Sequence, residues 1–353
     1  PDFPSSAERA LDSYIREVEL GTKTKLANPP ISVIALEPGF FSVLLRFVGP
    51  VTVEGTTFDA DTFFDRLEYA VESEYQQKGI PAGHRKEIVE KVGAAIRDRL
   101  MSLSVSKWPE LLALVTTALE RKQILLYSRQ ADLRASLDRR GWTGRAHATE
   151  GDFLWVVDAN VAAFKTDGVM KKGVSYALDA TDPAKPIATV TLTYTNTNPN
   201  FTWRYTRYRS YTRIYVPEGS RLLASSGALK DDRYRTGGIA VPGTVDVFHD
   251  LGKTVFGAFW SIEPGTTGTL TFTYQLPPSA ISQLSSGAYL LDWPKQPGAD
   301  RTQLTTDLLF GKKVLRATPP EQKEKWGDAR YEYKVDSLLD RKFEITLLSE
   351  HRQ

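Results

Sequence analysis

Residues 151–167 read GDFLWVVDANVAAFKTD, and the fold turns on how they are taken. Phe153, Leu154, Trp155, Val156 and Val157 form an unbroken apolar run, which suits a buried strand. Asp158, Asn160, Lys165 and Asp167 follow at once, so the strand leads either into a polar turn or into a site.

Beyond this stretch, β-branched and aromatic residues alternate with polar ones between Gly/Pro turns. ATVTLTYTN (188–196), YRSYTRIYVPEG (208–219), KTVFGAFWSIEPG (253–265) and GTLTFTYQLP (268–277) are four such runs. Period-two alternation of this kind puts one face in a core and one in water, the pattern of an antiparallel β-sandwich, immunoglobulin-like in type. TQLTTDLLF and KFEITLL, within about 300–349, either complete that domain or extend it; the division expected is a β-sandwich over 151–300 and a C-terminal β extension over 301–353.

Upstream, residues 1–150 alternate helix and strand, as in an incomplete α/β domain. Ser5-Ser6-Ala7-Glu8 has the form of a capping box, which predicts a helix through Ile15 and Val18. ISVIALEP (31–38) reads as a strand closed by proline, FFSVLLRF (40–47) as a short helix and GPVTVEGTTF (49–58) as a hairpin. Asp59 offers an N-cap for a helix running to about Gln77. Helical spacing of apolar residues over 84–103 and 108–121 is followed by a strand at 122–128, then by a helix ending at Gly141.

Composition narrows the function classes. With 353 residues, 41% hydrophobic and 25% charged, the chain is an ordinary folded protein of more than one domain. Forty-five basic and 43 acidic residues leave a net charge of +2, too little field to draw in nucleic acid, which is therefore not an expected partner. Cysteine is absent, which excludes disulfides, thiolate metal sites and a cysteine nucleophile. His84, His147, His249 and His351 stand singly, without the paired spacing of a zinc site, so neither metal nor cofactor is expected. No Gly-x-Ser-x-Gly elbow or phosphate-cradling glycine loop occurs, and no apolar run is long enough to span a membrane.

Eight stretches, taken in order, carry a resemblance: PDFPSSA (1–7), VIALEPGFFSVLLRFVGPVTVEG (33–55), ERKQILLYS (120–128), RRGWTGR (139–145), the 151–167 stretch, YRSYTRIYVPEGSRLL (208–223), GKTVFGAFWSIEPG (252–265) and TFTYQLP (271–277). Together they resemble the bacterial domain of unknown function 4012 family over roughly the first 300 positions. The resemblance implies an envelope protein with an extracytoplasmic body and an N-terminal membrane helix, with no established activity. Members carry an Asn-Glu-Leu-Arg segment and a Gly-Gly pair before the part that PDFPSSA matches, so this chain is expected to be the C-terminal portion of a longer protein that meets the membrane only through an upstream helix. More distantly, residues 33–53 are similar to a strand, helix and turn of the LytR-CpsA-Psr glycopolymer transferases, whose domain is α/β/α. The arginines and aspartate that carry that family's chemistry have no counterparts identified here.

Two clusters are the candidate sites. Asp158, Asn160, Lys165 and Asp167 could hold a cation or orient a phosphate; the plainer reading is that Asp158 and Asn160 make side-chain-to-backbone turns while Lys165 pairs with a carboxylate such as Asp167. Arg204, Arg207, Arg209 and Arg213 alternate with Trp203, Tyr205, Tyr208 and Tyr211, and Tyr205 through Arg213 would share one strand face. Guanidinium groups beside aromatic faces suit phosphate or a sugar acid, whereas the plainer reading is a solvent-facing surface of Arg–carboxylate and Arg–Tyr pairs. Asp59/Asp61 and Asp231-Asp232 are carboxylate pairs whose separation across a cleft the sequence does not define.

The expectation is therefore an extracytoplasmic surface module, structural or binding in role, with a cell-wall or surface glycopolymer or another envelope protein as its partner and no catalytic residues. The alternative is a transferase that attaches lipid-linked glycopolymer to the cell wall.

Overall fold

The computed structural model describes residues 1–299 and 302–348; His351 lies outside them. The chain divides into two compact units, Pro1–Arg145 and Ala146–Gln353. It combines helices with sheets whose strands are mostly antiparallel.

Unit 1 contains helices α1 (Phe3–Thr22), α2 (Pro38–Val48), α3 (Phe63–Tyr69), α4 (Glu87–Met101), α5 (Trp108–Glu120) and α6 (Ala131–Arg139), with strands β1 (Ser32–Leu36), β2 (Val51–Val53), β3 (Thr56–Phe58) and β4 (Ile124–Ser128). β1 and β4 pair antiparallel, and β2 and β3 form the expected hairpin. The capping box does not form. Asp2 caps α1 instead, accepting from the Ser5 N–H at 3.0 Å, which starts the helix earlier and frees Glu8 to pair with Tyr127 and Arg129 across to β4. Asp59 does fold the approach to α3, accepting from the backbone N–H groups of Asp61 and Thr62 at 2.9 Å. The helix then widens into a π turn over Ala70–Glu74 before Tyr75–Gln77, close to the predicted end.

Unit 2 is built on β5 (Asp152–Phe153), β6 (Trp155–Asn160), β7 (Met170–Ala180), β8 (Ile187–Asn196), β9 (Tyr208–Pro217), β10 (Arg221–Ser226), β11 (Asp246–Asp250), β12 (Lys253–Ile262), β13 (Thr267–Gln275), β14 (Ala288–Trp293), β15 (Thr302–Phe310), β16 (Val314–Thr318), β17 (Arg330–Asp336) and β18 (Arg341–Leu347), with helix α7 (Pro278–Ser285). They form a six-stranded sheet in the order β10-β13-β8-β7-β15-β17 and two four-stranded sheets, β11-β12-β9-β6 and β16-β18-β14-β5. One hydrophobic core draws on all three sheets. Alternation explains it: Ala188, Val190, Leu192 and Tyr194 of β8 face Leu270, Phe272 and Tyr274 of β13 in that core. The opposite faces carry threonines in register, Thr189 against Thr273 and Thr195 against Thr267, whose hydroxyls meet at 3.2 and 2.8 Å.

The C-terminal portion is not an appendage. β15 lies beside β7 in parallel, inside the six-stranded sheet, and β18 sits between β14 and β16. Its inward residues Leu304, Leu308, Phe310, Phe343 and Ile345 belong to the shared core, so removing 301–353 would open that core rather than trim it.

The 151–167 stretch explains its own apolar run. β5 pairs in parallel with β14 and β6 pairs with β9, so one segment passes from one sheet to another. Leu154 and Val156 enter the shared core, while Phe153, Trp155 and Val157 join Tyr215 and Val255 in a second cluster. A strand covered on both faces shows no alternation.

At the sheet switch lies Asp152, fully buried, its carboxylate accepting from the Tyr176 hydroxyl, from the Tyr289 hydroxyl at 2.6 Å and from the Phe153 N–H at 2.7 Å. Burial pushes its pKa from 3.8 up to about 6, against the pull of those three donors. A carboxyl raised in the folded state adds stability that is complete below its unfolded pKa and lost as pH rises through the folded one. A shift of this size corresponds to about 3 kcal/mol. Asp152→Asn removes the linkage, so urea unfolding should show the variant gaining about 2–3 kcal/mol on wild type between about pH 3.5 and about pH 7.5. A stability difference that stays flat with pH would contradict the assignment.

Candidate functional site

The two clusters expected from sequence come together at one end of the β11-β12-β9-β6 sheet. β6 pairs with β9 so that Asp158 faces Thr212 and Asn160 faces Ser210. The loop after β6 is stitched to the segment before β9: the Lys165 N–H donates to the Arg204 carbonyl at 3.1 Å, the Thr206 N–H donates to Thr166 Oγ1 at 3.0 Å, and Phe164 and Tyr205 form an isolated bridge.

At the centre is a residue that sequence reasoning passed over. Lys172 of β7 places Nζ 2.7 Å from Asp158 Oδ2 and 3.2 Å from Asp167 Oδ1. Lys165, the lysine expected to pair with a carboxylate here, lies exposed on the same loop as Asp167. Lys172 is the better partner because it shares the inward parity of Met170, Val174 and Tyr176 on β7. Its side chain is 10% exposed and that of Asp158 5%. The ammonium also lies 5.2 and 5.3 Å from the ring centres of Tyr194 and Tyr208. Burial works against its charge, but Asp158, Tyr194 and Asp167 together outweigh burial and raise its pKa above the usual lysine range.

The other atoms of Asp158 are engaged as well. Oδ1 accepts from the Thr212 hydroxyl at 2.6 Å, and the hydroxyl oxygen in turn accepts from Trp260 Nε1 at 2.8 Å. The Thr212 hydroxyl also lies 3.1 Å from that of Ser210. The Asp158 backbone N–H and carbonyl each bond the side-chain amide of Gln296, at 2.9 Å, which closes the free edge of β6. No local pattern in the sequence marks Gln296 for this role.

Asn160 organises the loop. Its Oδ1 accepts from the Ala163 N–H at 2.8 Å, and its Nδ2 donates to the Phe164 carbonyl at 3.1 Å and to Asp167 Oδ2 at 2.9 Å. Ala162 and Phe164 are thereby held at φ of 54° and 50°, a left-handed conformation that costs free energy for a residue with a bulky side chain. The result is a Phe164 ring 62% exposed to solvent.

Arg207 and Arg209 are not free cations, and Arg213 lies over the Tyr215 ring at 5.8 Å. Arg207 pairs with Glu263 at 2.9 Å and Arg209 with the buried Asp232 at 2.5 Å, and Arg209 also donates to the Ala162 carbonyl at 2.9 Å. Arg204 is buried with its guanidinium 5.2 Å from the Tyr205 ring centre. Only Arg209, Tyr211 and Arg213 form an outward stripe on β9, since Tyr205 and Arg207 precede the strand. What the loops do expose is aromatic: Phe201, Trp203 and Tyr234 are 57%, 54% and 77% exposed, and the Arg207 guanidinium lies between Phe201 and Tyr234, 5.0 and 5.6 Å from their ring centres. Phe201 and Tyr234 were not among the sequence candidates, because exposure of an aromatic in a loop leaves no periodic trace.

No family model matches the chain, and no curated protein matches it. Among solved structures it is similar to a Legionella pneumophila protein described as nutrient-binding, at 8% identity over 56% of this chain and 71% of that one, with a TM-score of 0.31. Yeast LTA4 hydrolase gives 7% identity over 53% of this chain and 30% of that one, TM-score 0.23. An M1 zinc metallopeptidase from Deinococcus radiodurans gives 13% identity over 50% and 41%, TM-score 0.22. The chain spans less than half the length of either enzyme, and likenesses at these TM-scores carry no argument about activity.

Tyr211 tests how tightly this face is packed. Its ring lies over Gly257 of β12, where an added Cβ would come within 2.3 Å of the hydroxyl oxygen, and that hydroxyl donates to Asp246 at 2.6 Å. Gly257→Ala should cost about 1–3 kcal/mol. In Tyr211→Ala the same substitution should cost about 0.5 kcal/mol or less; equal costs in both backgrounds, by denaturant unfolding, would show that the ring does not define the site.

Proposed function

We propose that this chain is the extracytoplasmic body of a bacterial envelope protein of the kind the domain of unknown function 4012 resemblance implies, tethered by an upstream membrane helix. Its second unit, read as an immunoglobulin-like sandwich, presents a surface for a cell-wall or surface glycopolymer. The observation that carries this reading is the exposed rings of Phe201 and Tyr234 on the Arg207 guanidinium, with the exposed Phe164 and Trp203 on the two segments that the Phe164–Tyr205 bridge joins.

The chemistry fits such a ligand. Sugar rings offer apolar C–H faces that stack on flat aromatic side chains, and exposed rings grouped in one place mark an interaction surface rather than a core. Arg233 and Arg235 flank Tyr234 in the exposed loop; Arg235 is paired with Asp231 at 3.5 Å, and Arg233 supplies charge for an acidic sugar or a phosphodiester. The strained Phe164 backbone, held by three Asn160 bonds, is a cost a purely structural turn would avoid.

The transferase alternative draws less support. A cavity of about 220 Å³ in unit 1 is lined by Lys78, Arg85 and Lys91, but these cations are matched by Glu74 at 3.2 Å, Glu72 at 3.2 Å and Glu54 at 2.5 Å. Little positive charge is left to neutralise a pyrophosphate, the requirement of that chemistry.

Retention on immobilised cell-wall polymer, wild type against the Phe201→Ala/Trp203→Ala/Tyr234→Ala variant, tests the reading. All three side chains are exposed, so the fold should stand while retention falls by about tenfold or more, a loss of at least about 1.4 kcal/mol. Equal retention of both proteins would remove the platform from consideration.

A further inference from the structure

We propose that Lys172 and Asp158 are joined by an intramolecular amide, formed by condensation of their side chains after folding, so that the six-stranded sheet and the β11-β12-β9-β6 sheet are covalently tied. Lys172 lies on β7 of the first and Asp158 on β6 of the second.

The required parts are assembled around one bond. The nucleophile, Lys172 Nζ, is 2.7 Å from Asp158 Oδ2 in a nearly buried pocket walled by Tyr194, Tyr208 and Trp260. The charged pair and the neutral amine-plus-acid pair hold the same number of protons and differ by one proton hop across that contact. Asp158 Oδ1, which stays behind as the amide oxygen, accepts the Thr212 hydroxyl at 2.6 Å. Thr212, which also accepts from the Trp260 indole and lies 3.1 Å from the Ser210 hydroxyl, thus places its proton on Oδ1, where negative charge develops as the amine adds.

A second carboxylate completes the set. Asp167 Oδ1 is 3.2 Å from Nζ, and its other oxygen is fixed by the Asn160 amide at 2.9 Å. The amine lone pair of Lys172 attacks Cγ of protonated Asp158, the C–N bond forms, and Asp167 takes the proton released from nitrogen. It returns that proton to the departing Oδ2 hydroxyl as the C–O bond breaks. One water leaves, nothing is oxidised or reduced, and no co-reactant is needed. A pocket of about 20 Å³ lined by Asp158, Tyr194, Lys295 and Gln296 has room for about one water. In a chain without cysteine, such a bond supplies the cross-link that a disulfide cannot.

Intact mass of the purified, folded chain, measured after denaturation, decides the matter. The expected value is lower than the sequence mass by one water, about 18 Da, and tryptic digestion should yield a branched peptide linking the segment of Asp158 to that of Lys172. Lys172→Met and Asp158→Ala should both return the full sequence mass, and Asp167→Asn should accumulate the uncondensed form while keeping the β-sheet circular dichroism of the wild type. A wild-type chain that is folded yet carries its full sequence mass overturns the proposal. Complete condensation in Asp167→Asn overturns the role given to Asp167.

Discussion

One buried lysine side chain holds this end of the second unit together. Lys172 reaches from the six-stranded sheet to Asp158 on the neighbouring sheet and to Asp167 on the loop that leaves it. Before condensation, breaking the pair from one side leaves the other charge without compensation, at a cost of about 3–5 kcal/mol. Everything nearby is arranged to avoid that outcome: Thr212 and Trp260 serve the free oxygen of Asp158, Gln296 serves its backbone, and Asn160 serves the far oxygen of Asp167. The loop geometry follows from this anchoring, and the exposed aromatic platform follows from the loop.

The two sequence clusters are thus parts of one structure with different duties. The acidic loop fixes position, since its polar atoms are spent on internal bonds. The arginine segment does the same through Glu263 and Asp232, and its aromatic neighbours are what remains for solvent or a ligand. Charge in this region builds the scaffold, and ring surface is what it leaves exposed.

Much of the β architecture was legible because alternation is a local signal. The runs at 188–196 and 267–275 show their inward and outward faces directly, and the structure pairs them in the register those faces demand. What was hidden is non-local. The parallel pairing of β15 with β7 joins segments more than a hundred residues apart, and no short pattern announces it. Gln296 reaches Asp158 from 138 positions away. Lys172, by contrast, was readable: it occupies an inward position in MKKGVSYALDA, between Met170 and Val174, where a lysine is a demand for a buried partner. Glu8 misled for the opposite reason, because a capping pattern competed with an earlier cap at Asp2 and with an ion pair to Arg129.

The claim that Lys172 organises the loop is open to a direct measurement: amide hydrogen exchange across 158–168 and 204–206 in wild type and in Lys172→Met. The account predicts that the amides of Ala163 and Thr206, bonded to Asn160 and Thr166, lose at least about tenfold in protection in the variant, as local opening does when its anchor is removed. It also predicts that β8 and β13, which draw their stability from the shared core, keep theirs. Unchanged protection in the loop would contradict the account.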